Sequence, residues 1–496
     1  MFFNYGTPLP LSDITLLPPV EFRADILRNV NAGWRILGLF GLPENDECAL
    51  CAVLASEEQK KLYAVRTEPI QRYQALTPDC PQAHLFEREV FEQWHVIPEG
   101  HPWLKPVRFS PSMKHGDSQR PGPGQMDFYK VRGQQVHEVA VGPIHAGVIE
   151  PGHFRFQCHG ENVLFLEISL GYQHRGIEKL LHNGPDVRTR HLIECAAGDS
   201  SIAHATAYAL LIESLSGTHV PPRAHLLRRL ALELERLANH TGDLGALAGD
   251  TGFLPTSAWN GRIRGDFLNM TAALCGNRFG RNFVSPGGTT RDLTADDCRC
   301  LEKKLQSTWK DVRGSVNTMM HSNSVLARLA NTGTLSRITA QQLGLVGVAA
   351  RACGLALDSR LHFPASSLPS VLRHAKTRHT GDVLARAQIR DMEIEDSARQ
   401  ALADLRQLAE TDAGEVYAKP AELLKNHLAV GMAEGWRGEV CHIAITGPNG
   451  RFLTYKIIDP SFHNWQGLAV ALRGEQISDF PLCNKSFNLS YCGHDL

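Results

Sequence analysis

The stretch IECAAGDSSIAH, at residues 193–204, places polar side chains at the predicted start of a helix. Asp199 and Ser200 come directly before SIAHATAYALLIESL, whose small and aliphatic residues recur at helical spacing. A carboxylate or hydroxyl there can accept hydrogen bonds from the first backbone N–H groups and favour the positive end of the helix. The same helix end could instead hydrogen-bond the carbonyl oxygen of a ligand. Capping is the favoured role for Ser200, whereas both roles stay open for Asp199.

Asp250, in ALAGDTGF, is a second acidic candidate. It falls at the C-terminal end of the long helix predicted from PRAHLLRRLALELERLANHTGDLGAL, where a negative charge opposes the helix dipole. A carboxylate kept in an unfavourable place suggests a functional role, such as carrying a proton.

Cys48 and Cys51, in ECALC, have the spacing of a metal-binding or redox pair. A zinc site needs about four ligands, and no second C-x-x-C or paired histidine lies at a suitable distance. We therefore expect both cysteines to pack as small apolar side chains near the start of a strand. The 12 cysteines are scattered through 496 residues, which excludes a small, disulfide-dense secreted scaffold.

Charge and hydropathy exclude other classes of protein. With 51 basic and 52 acidic residues, the formal net charge of -1 gives no electrostatic reason to expect nucleic acid or an anionic membrane as a partner. The N-terminal MFFNYGTPLPLSDITLLPP lacks the basic and long apolar regions of a signal peptide, and no window reaches the roughly 18 to 20 apolar residues of a membrane span. The sequence predicts a cytoplasmic chain of several folding units, whose near-neutral charge suits a subunit of an assembly.

The elements that must position these residues predict an α+β fold. Residues 1–108 predict a small α/β domain, with strands in WRILGLFGL, CALCAVLA and KKLYAVRT and a helix in PQAHLFEREVFEQW. Residues 109–128, rich in Pro, Gly and Ser, are the predicted linker. Residues 129–496 predict a large, mainly helical bundle with peripheral strands.

Within the larger domain, HEVAVGPI, HFRFQCHG and NVLFLEISL predict strands. The pattern becomes helical at Tyr172, and Pro222 and Thr294 carry helix-start signals, the latter with Asp297 three residues on. EVCHIAIT and RFLTYKII, around a Pro/Asn/Gly turn, predict a C-terminal hairpin.

Several longer motifs resemble a known family. FEREVFEQWHVIPEGHPWLKPVR resembles the small C subunit of respiratory complex I and its hydrogenase relatives. VGPIHAGVIEPGHFRF, GENVLFLEISLGYQHRGIEKLL, LELERLANHTGDLGALAGDTGF, LCGNRFGRNFVSPGG and DPSFHNW follow in the order found in the large subunit of energy-converting (group 4) nickel-iron hydrogenases and in the D subunit of complex I. Over nearly its whole length the chain resembles the fused C/D-type large subunit of formate hydrogenlyase. The resemblance implies a C-like (30 kDa-type) domain at 1–108 and a D-like (49 kDa-type) domain at 129–496.

In that family the catalytic nickel-iron pair is held by two C-x-x-C motifs, because soft, charged thiolates stabilise both metals. The resemblance assigns the first two ligand positions to Ala197 and Ser200, and the second two to Ser461 and Asn464. None of these side chains can replace a thiolate at nickel, and Cys195 is out of register. The resemblance therefore implies the hydrogenase-related branch that lacks the nickel-ligand cysteines, with no metal bound by this chain.

The same resemblance implies roles for acidic residues. Glu150 falls in a loop where hydrogenase relatives carry an acidic proton-relay residue, and a solvated loop carboxylate is the equal alternative. Asp250 matches a carboxylate that complex I places close to its quinone histidine. Asp199 falls in the segment where complex I reuses the vacated cavity to bind a quinone headgroup, and together with Glu150 and Asp250 it is a candidate for a proton relay. Gly198 stands at about the position of the family's quinone-site tyrosine, which argues against binding of the ubiquinone type.

Two further blocks supply the walls of the implied cavity, which Ser200 would also line. The resemblance assigns to these walls His145, His153, Arg155, His174 and Arg175, with Glu178 and Lys179 beside them. A buried lattice of Arg, Glu and His can conduct protons, or it can be an inert salt-bridged scaffold. The scaffold is the favoured interpretation.

The implied function is that of a peripheral-arm subunit of a membrane-associated oxidoreductase complex. A small iron-sulfur subunit would pass electrons toward the emptied cavity, while complex I-like membrane subunits move ions and other peripheral subunits carry electrons, on the cytoplasmic face of the inner membrane. We expect no firmly bound cofactor on this chain, with a quinone as the one candidate, and no activity of the isolated chain. The alternatives are a quinone-reducing subunit, a purely structural or coupling subunit, and a hydrogenase with unusual ligands.

Overall fold

The computed structural model describes residues 1–44, 47–113, 122–145, 149–366, 368–411 and 413–496. Within these ranges the strands are β1 (Phe2–Asn4), β2 (Leu9–Pro10), β3 (Thr15–Leu17), β4 (Arg35–Glu44), β5 (Glu47–Ser56), β6 (Lys61–Pro69), β7 (Arg72–Gln74), β8 (Ile97–Glu99), β9 (Val136–Val141), β10 (His153–His159), β11 (Asn162–Ser169), β12 (Val284–Ser285), β13 (Gly288–Thr289), β14 (His427–Glu434), β15 (Glu439–Thr446) and β16 (Phe452–Ile458). The α-helices are α1 (Pro19–Asn31), α2 (His84–Trp94), α3 (Ile177–Leu181), α4 (Thr189–Glu194), α5 (Ser201–Ser216), α6 (Pro222–Asp250), α7 (Leu254–Cys275), α8 (Ala295–Met320), α9 (Asn323–Leu329), α10 (Arg337–Gln342), α11 (Gly347–Ala352), α12 (Ser359–His362), α13 (Val383–Glu410), α14 (Pro460–Ala471), α15 (Phe480–Phe487) and α16 (Tyr491–Asp495). The expected α+β class is confirmed.

The N-terminal sheet has the strand order β1-β6-β5-β4, and β3 pairs with β6 in parallel. Strand β5 is buried along almost its whole length, which explains why CALCAVLA is continuously apolar instead of alternating. Cys48 and Cys51 are fully buried in the hydrophobic core of this sheet. Helix α2, which contains the FEREVFEQW motif, packs against β4.

A second sheet, of order β11-β10-β9, contains the predicted hairpin of β10 and β11. Phe154 and Phe156 are fully buried, and both contact the ring of Phe480. His153 and Arg155 alternate with them along β10 and therefore project from the opposite face of the sheet.

Helices α6, α7, α8 and α13 pack together as the predicted bundle. Helix α6 begins at Pro222, where a missing N–H costs nothing because no carbonyl would receive it. Helix α8 begins with the predicted capping box, in which Asp297 N donates to Thr294 Oγ1 (3.1 Å) and Thr294 N donates to Asp297 Oδ2 (3.0 Å).

The C-terminal sheet has the order β16-β15-β14-β2 and includes the predicted hairpin of β15 and β16. Helix α5 lies on β14 and β15, and its backbone comes unusually close at Gly431. A Cβ atom at Gly431 would stand 2.0 Å from the carbonyl oxygen of Ala207, so a larger residue would push the helix off the sheet. Glycine at this position therefore lets α5 pack close to the sheet.

The N-terminal and C-terminal sheets share one hydrophobic core. Ile443 and Ile458 belong to the same buried cluster as Phe40 and Leu54, and strand β2 is itself part of the C-terminal sheet. The domain boundary at residue 108 stays a prediction, and residues 114–121 of the predicted linker lie outside the described residues. In the described residues the two units meet across a packed seam.

Buried ion pairs cross this seam. Glu89 on α2 pairs with both Arg108 and Lys456, and Lys456 Nζ also lies 3.0 Å from Glu178 Oε1. All four side chains are less than a tenth exposed, and two acids balance two bases. Burial lowers the pKa of Lys456 to about 7, against the attraction of Glu178.

No helix among the described residues combines the length and the hydropathy needed to cross a bilayer.

Removing one charge from the seam should destabilise the fold strongly. In Glu89→Gln, Arg108 and Lys456 would keep only Glu178 as a counter-ion, and we expect the free energy of unfolding to fall by roughly 3–5 kcal/mol. Urea denaturation of the purified chain measures this change. The matched control is Arg299→Gln, whose ion pair with Asp296 is exposed and should contribute less than about 1 kcal/mol. Equal losses in the two variants would contradict the importance of the buried network.

Candidate functional site

The first motif segment, residues 195–200, leads from α4 into α5. Ser200 is 3% exposed and occupies the N-cap position, but its hydroxyl makes no bond to the first turn of α5. The expectation that Asp199 or Ser200 caps this helix is wrong. The carboxylate of Glu235, on α6, accepts the bonds from the backbone N–H groups of residues 202 and 203, at 2.8 and 3.2 Å. A distant residue provides the cap because Asp199 is held by another partner.

Glu235 is a buried carboxyl group at the positive end of a helix. Burial, together with the smaller effect of the nearby Asp199 charge, raises its pKa to about 8, against the two backbone N–H donors that lower it. A carboxyl group with this pKa exchanges a proton near neutral pH. Such a perturbed group next to a candidate site is a physical marker of function.

Arg437 is the partner that holds Asp199. Its Nη1 and Nη2 atoms lie 2.7 and 2.8 Å from the two carboxylate oxygens of Asp199, which is a bidentate pair. Nη1 also lies 3.4 Å from Ser200 Oγ, and the Trp436 indole donates to the Asp199 carbonyl at 3.0 Å. The guanidinium is 5% exposed, whereas the Asp199 side chain is 34% exposed, so the pair reaches from the interior to the surface.

The second motif segment, DPSFHNW, forms the start of α14. Asp459 caps this helix by accepting from Ser461 N at 2.8 Å. Ser461 Oγ accepts from Ser490 N at 2.8 Å. The Asn464 amide both accepts from and donates to the backbone of Val346, at 3.0 and 3.1 Å. Both aligned ligand positions are thus engaged in the hydrogen bonding of the fold.

A buried chain of hydrogen-bonded side chains connects α5, which follows the first motif segment, to Asp459 in the second motif segment. His204 Nε2 lies 3.2 Å from Asp459 Oδ2, and His204 Nδ1 lies 3.0 Å from His442 Nε2. His442 Nδ1 lies 2.8 Å from the Tyr455 hydroxyl. Burial holds the pKa of His442 well below its usual range, and the hydrogen bond from His204 lowers the pKa of Asp459 against the effect of burial. Hydrogen bonds that run in one direction from Tyr455 to Asp459 satisfy this arrangement.

The four aligned positions do not fit a nickel-iron pair. Ala197 has no side-chain atom that could bind a metal. The side-chain polar atoms of Ser200, Ser461 and Asn464 take part in the contacts just described. Among the residues that the structure describes, no group of three or more His, Cys, Asp or Glu side chains is arranged to hold a metal ion. The chemistry of the donors therefore argues against the metal chemistry of the hydrogenases.

Glu150 lies beside the C-terminal helix α16. Its Oε2 atom lies 3.3 Å from Tyr491 N, and Cys492 interacts both with Glu150 and with the backbone of Gly198. Burial and the Glu150 charge raise the pKa of the Cys492 thiol to about 11. The C-terminal stretch thus links Glu150 to the first motif segment, and the proton-relay role of Glu150 stays a prediction.

Arg175 and His174 form hydrogen bonds with the same region, around the first motif segment and α16. Arg175 donates to the carbonyl oxygens of Cys195, Ala196 and Cys492 and so ties the first motif segment to α16. His174 Nδ1 lies 2.8 Å from the carbonyl oxygen of Asp495. These contacts suit the scaffold interpretation that we favoured from the sequence.

The remaining wall candidates lie elsewhere. His145 Nε2 contacts the Gly152 carbonyl at 2.9 Å, and His153 Nδ1 contacts the Gly142 carbonyl at 3.3 Å. Arg155 pairs with Glu138 at 2.7 Å on the outer face of its sheet. Among the described contacts, none joins these three residues to the two motif segments.

Asp250 ends α6 and its side chain makes no hydrogen bond or ion pair among the described residues. Burial raises its pKa, and the charge of Lys485 acts in the opposite direction. The structure does not bring it into contact with Glu150 or Asp199, so a shared relay of these three acids stays a prediction.

Sequence reasoning missed Arg437, Glu235, His204, His442 and Asp459. His204 follows Ser200 by one helical turn, and Asp459 precedes Pro460 at a helix start, so both carried a local signal. Arg437 and His442 lie in EGWRGEVCHIAI, where a charge interrupts a β-rich run. Glu235 had no signal, because its role depends on α5 packing beside α6.

The pKa of Glu235 predicts a pH-dependent stability. A folded-state pKa of about 8, above the ordinary value near 4.5, means that the native state binds this proton more tightly. The resulting stabilisation is complete below the ordinary pKa and is lost as the pH rises through about 8. Glu235→Gln should remove this dependence, so the stability of the parent chain relative to the variant should fall by up to about 1.4 kcal/mol per pH unit between these limits.

Urea denaturation at several pH values from about 5 to 8 measures the difference. The exposed Glu415→Gln is the control and should leave the pH dependence unchanged. A constant difference between the parent chain and Glu235→Gln would show that the pKa of Glu235 is not raised.

Comparison with known proteins identifies relatives for both the sequence and the fold. Residues 250–495 match the family described as the respiratory-chain NADH dehydrogenase, 49 Kd subunit. Formate hydrogenlyase subunit 5 of Escherichia coli (strain K12) is 30% identical over 96% of this chain and 87% of its own length. The carbon monoxide-induced hydrogenase of Rhodospirillum rubrum is 31% identical over 71% of this chain and 97% of its own length.

A chain of the membrane-bound sulfane sulfur reductase, an archaeal respiratory membrane complex, has a similar fold, with a TM-score of 0.65 and 22% identity over 74% of this chain and 100% of that chain. The near-full-length similarity to formate hydrogenlyase subunit 5 and the 49 Kd match confirm the resemblance found in the motifs. This chain belongs to the family of large subunits that group 4 nickel-iron hydrogenases share with respiratory complex I.

Proposed function

We propose that this chain is the peripheral-arm large subunit of a membrane-associated, hydrogenase-related oxidoreductase complex that works without a nickel-iron centre. It would receive the charge change of electron transfer from a small iron-sulfur partner and transmit it to ion-moving membrane subunits. The family membership supports the place in a complex. The observation that carries the proposal is the bidentate Arg437–Asp199 pair, which occupies the first ligand segment where relatives of the hydrogenase type hold metal.

The charged groups at this site can respond to an electron nearby. Asp199 and Glu150 are partly exposed, whereas Glu235 lies behind them with a pKa near 8. A negative charge arriving on a partner at this surface would raise the proton affinity of Glu235 and weaken the hold of Asp199 on Arg437. Above about pH 8, where Glu235 is largely ionised, proton uptake by Glu235 would compensate the added charge. At lower pH Glu235 already holds its proton, and the response is the changed pairing of Arg437.

Quinone binding is not part of the proposal. A quinone carbonyl oxygen needs a hydrogen-bond donor, and Asp199 is a carboxylate that accepts from Arg437. Gly198, at about the place of the family's quinone-site tyrosine, provides no hydroxyl. We therefore propose that the electron acceptor lies on another subunit, while this chain is inactive alone.

The metal content of the intact complex tests the proposal. The complex is purified from membranes by a tag on this chain, its subunits are identified by mass spectrometry, and nickel and iron are measured by plasma mass spectrometry. We expect an iron-sulfur subunit, membrane subunits and iron, without nickel. Formate hydrogenlyase purified in the same way is the nickel-containing control. One nickel per chain would overturn the proposal, as would recovery of the chain without redox or membrane partners.

Charge changes at the site should shift the reduction potential of the nearest partner cluster. Asp199→Asn removes a negative charge and should raise the potential, whereas Arg437→Gln should lower it, each by tens of millivolts at moderate distance. The double variant removes both charges and should lie close to the parent. Redox titration followed by electron paramagnetic resonance measures the potentials in the assembled complex.

The exposed Asp296→Asn on α8 is the control for a distant carboxylate. Shifts of the same sign in Asp199→Asn and Arg437→Gln would indicate a structural disturbance instead of an electrostatic effect. No shift in either variant would show that the pair does not face the electron path.

A further inference from the structure

A cleft of about 380 Å³ opens at the seam between the N-terminal unit and the larger unit, separate from the site above. We call it the seam cleft, and its walls include Arg88, Trp103, Tyr129, Phe165, Trp465 and Arg473. Its volume is in the range of small-molecule sites, and such sites occur preferentially where two structural units meet. The cleft contains none of the four aligned ligand positions, although Trp465 at the end of the second motif segment lines it, and the proposed function does not use it.

Arg88 supplies a buried charge without a direct ion pair, and Glu92 and Glu167 attract it from beyond ion-pair distance. It is 8% exposed, and its guanidinium donates to the carbonyl oxygens of Lys105 (2.7 Å) and Pro106 (2.6 Å). Its Nη1 atom lies 3.3 Å from His84 Nε2, which must act as the acceptor because arginine only donates. No carboxylate among the described residues forms an ion pair with it. Burial lowers its pKa to about 10, so it remains a cation at neutral pH.

Trp465 supplies an unused donor. The residue is 3% exposed, and its Nε1 atom has no hydrogen-bond partner among the described residues. A buried indole N–H normally finds an acceptor, because leaving it without one costs free energy of desolvation. An acceptor atom of a bound molecule in the cleft would remove this cost.

The rest of the wall is aromatic. The ring centroids of Trp103 and Tyr129 are 5.4 Å apart, and those of Tyr129 and Phe165 are 4.7 Å apart. Arg473, exposed at the rim, lies over the Phe165 ring at 5.3 Å. These rings offer apolar surface for an aromatic ligand, and Arg88 and Arg473 are the cations of the same cleft.

The charges of the lining do not cancel. Glu167 is the carboxylate of the cleft, and it is already paired with Lys105 at 2.6 Å. Arg88 and Arg473 therefore leave a net positive cleft. A neutral or cationic ligand would not neutralise this positive charge.

We infer that the seam cleft binds a planar aromatic carboxylate. The carboxylate group would lie against Arg88 and the rim cation Arg473, the ring would lie on the wall formed by Trp103, Tyr129 and Phe165, and an acceptor atom would receive the Trp465 N–H. The binding is non-covalent and requires neither a metal nor a partner subunit. Because Trp465 follows Asn464 on α14, an occupied cleft would also hold the helix that carries the second motif segment.

Isothermal titration calorimetry of the purified full chain with 2-naphthoate tests this inference. We expect saturable binding of one molecule per chain. The neutral 2-naphthamide should bind at least about tenfold more weakly, because a hydrogen bond to a charged group contributes about 1.5–3 kcal/mol. Cyclohexanecarboxylate, which is anionic but not planar, should also bind more weakly.

Three variants locate the site. Arg88→Gln and Arg473→Gln should weaken 2-naphthoate binding, Arg88→Gln by about tenfold or more. Trp465→Phe removes the indole donor and keeps an aromatic ring, so it provides a second test if Arg88→Gln loosens the neighbouring loop. The matched control is Arg313→Gln, which removes a cation that lies over Trp309 at 5.5 Å outside the cleft.

Absence of saturable binding by the parent chain would overturn the inference. Equal affinity of the parent chain, Arg88→Gln and Trp465→Phe would overturn it as well, because the probe would then bind elsewhere. Equal affinity for 2-naphthoate and 2-naphthamide would contradict the inferred contact between the ligand carboxylate and the two arginines.

Discussion

The guanidinium of Arg437 is the interaction on which the site depends. It donates hydrogen bonds to both carboxylate oxygens of Asp199 and to the backbone carbonyl of Asn488, and it contacts the hydroxyl of Ser200. A charged side chain therefore joins the first motif segment to the C-terminal part of the chain. A buried arginine without a counter-ion would be strongly destabilising, so the fold needs Asp199 as the counter-ion of Arg437.

The position of Arg437 is in turn set by close backbone packing and by ions inside the bundle. A Cβ atom at Gly347 would stand 2.0 Å from the Arg437 carbonyl oxygen, so the chain can pass there only with glycine. Arg236 donates to the carbonyl oxygens of Glu434 and Gly435, and Arg351 bonds the Glu434 carboxylate at 2.7 Å. The strand end that carries Arg437 is therefore anchored from the helical core, which gives the surface pair a fixed geometry.

The predictions that were confirmed concern patterns whose physical cause is local. The hairpin of β15 and β16 follows from two β-rich runs around a turn, and the capping box of α8 involves residues only three positions apart. The prediction for Ser200 was also local, and it was wrong because the N-terminus of α5 is buried against α6. There the nearest acceptor in space, Glu235, is more than thirty residues away along the chain.

By itself the sequence determined the fold class, the family, and the absence of thiolates at the four aligned positions, because these depend on residue types and their order. The tertiary structure decided which polar groups replace them. Arg437 meets Asp199, and His204 meets Asp459 and His442, only after strands and helices distant in sequence have packed together. The same holds for the unpaired Arg88 in the seam cleft, since whether a charge finds a counter-ion is settled by its neighbours in space and not by its neighbours in the chain.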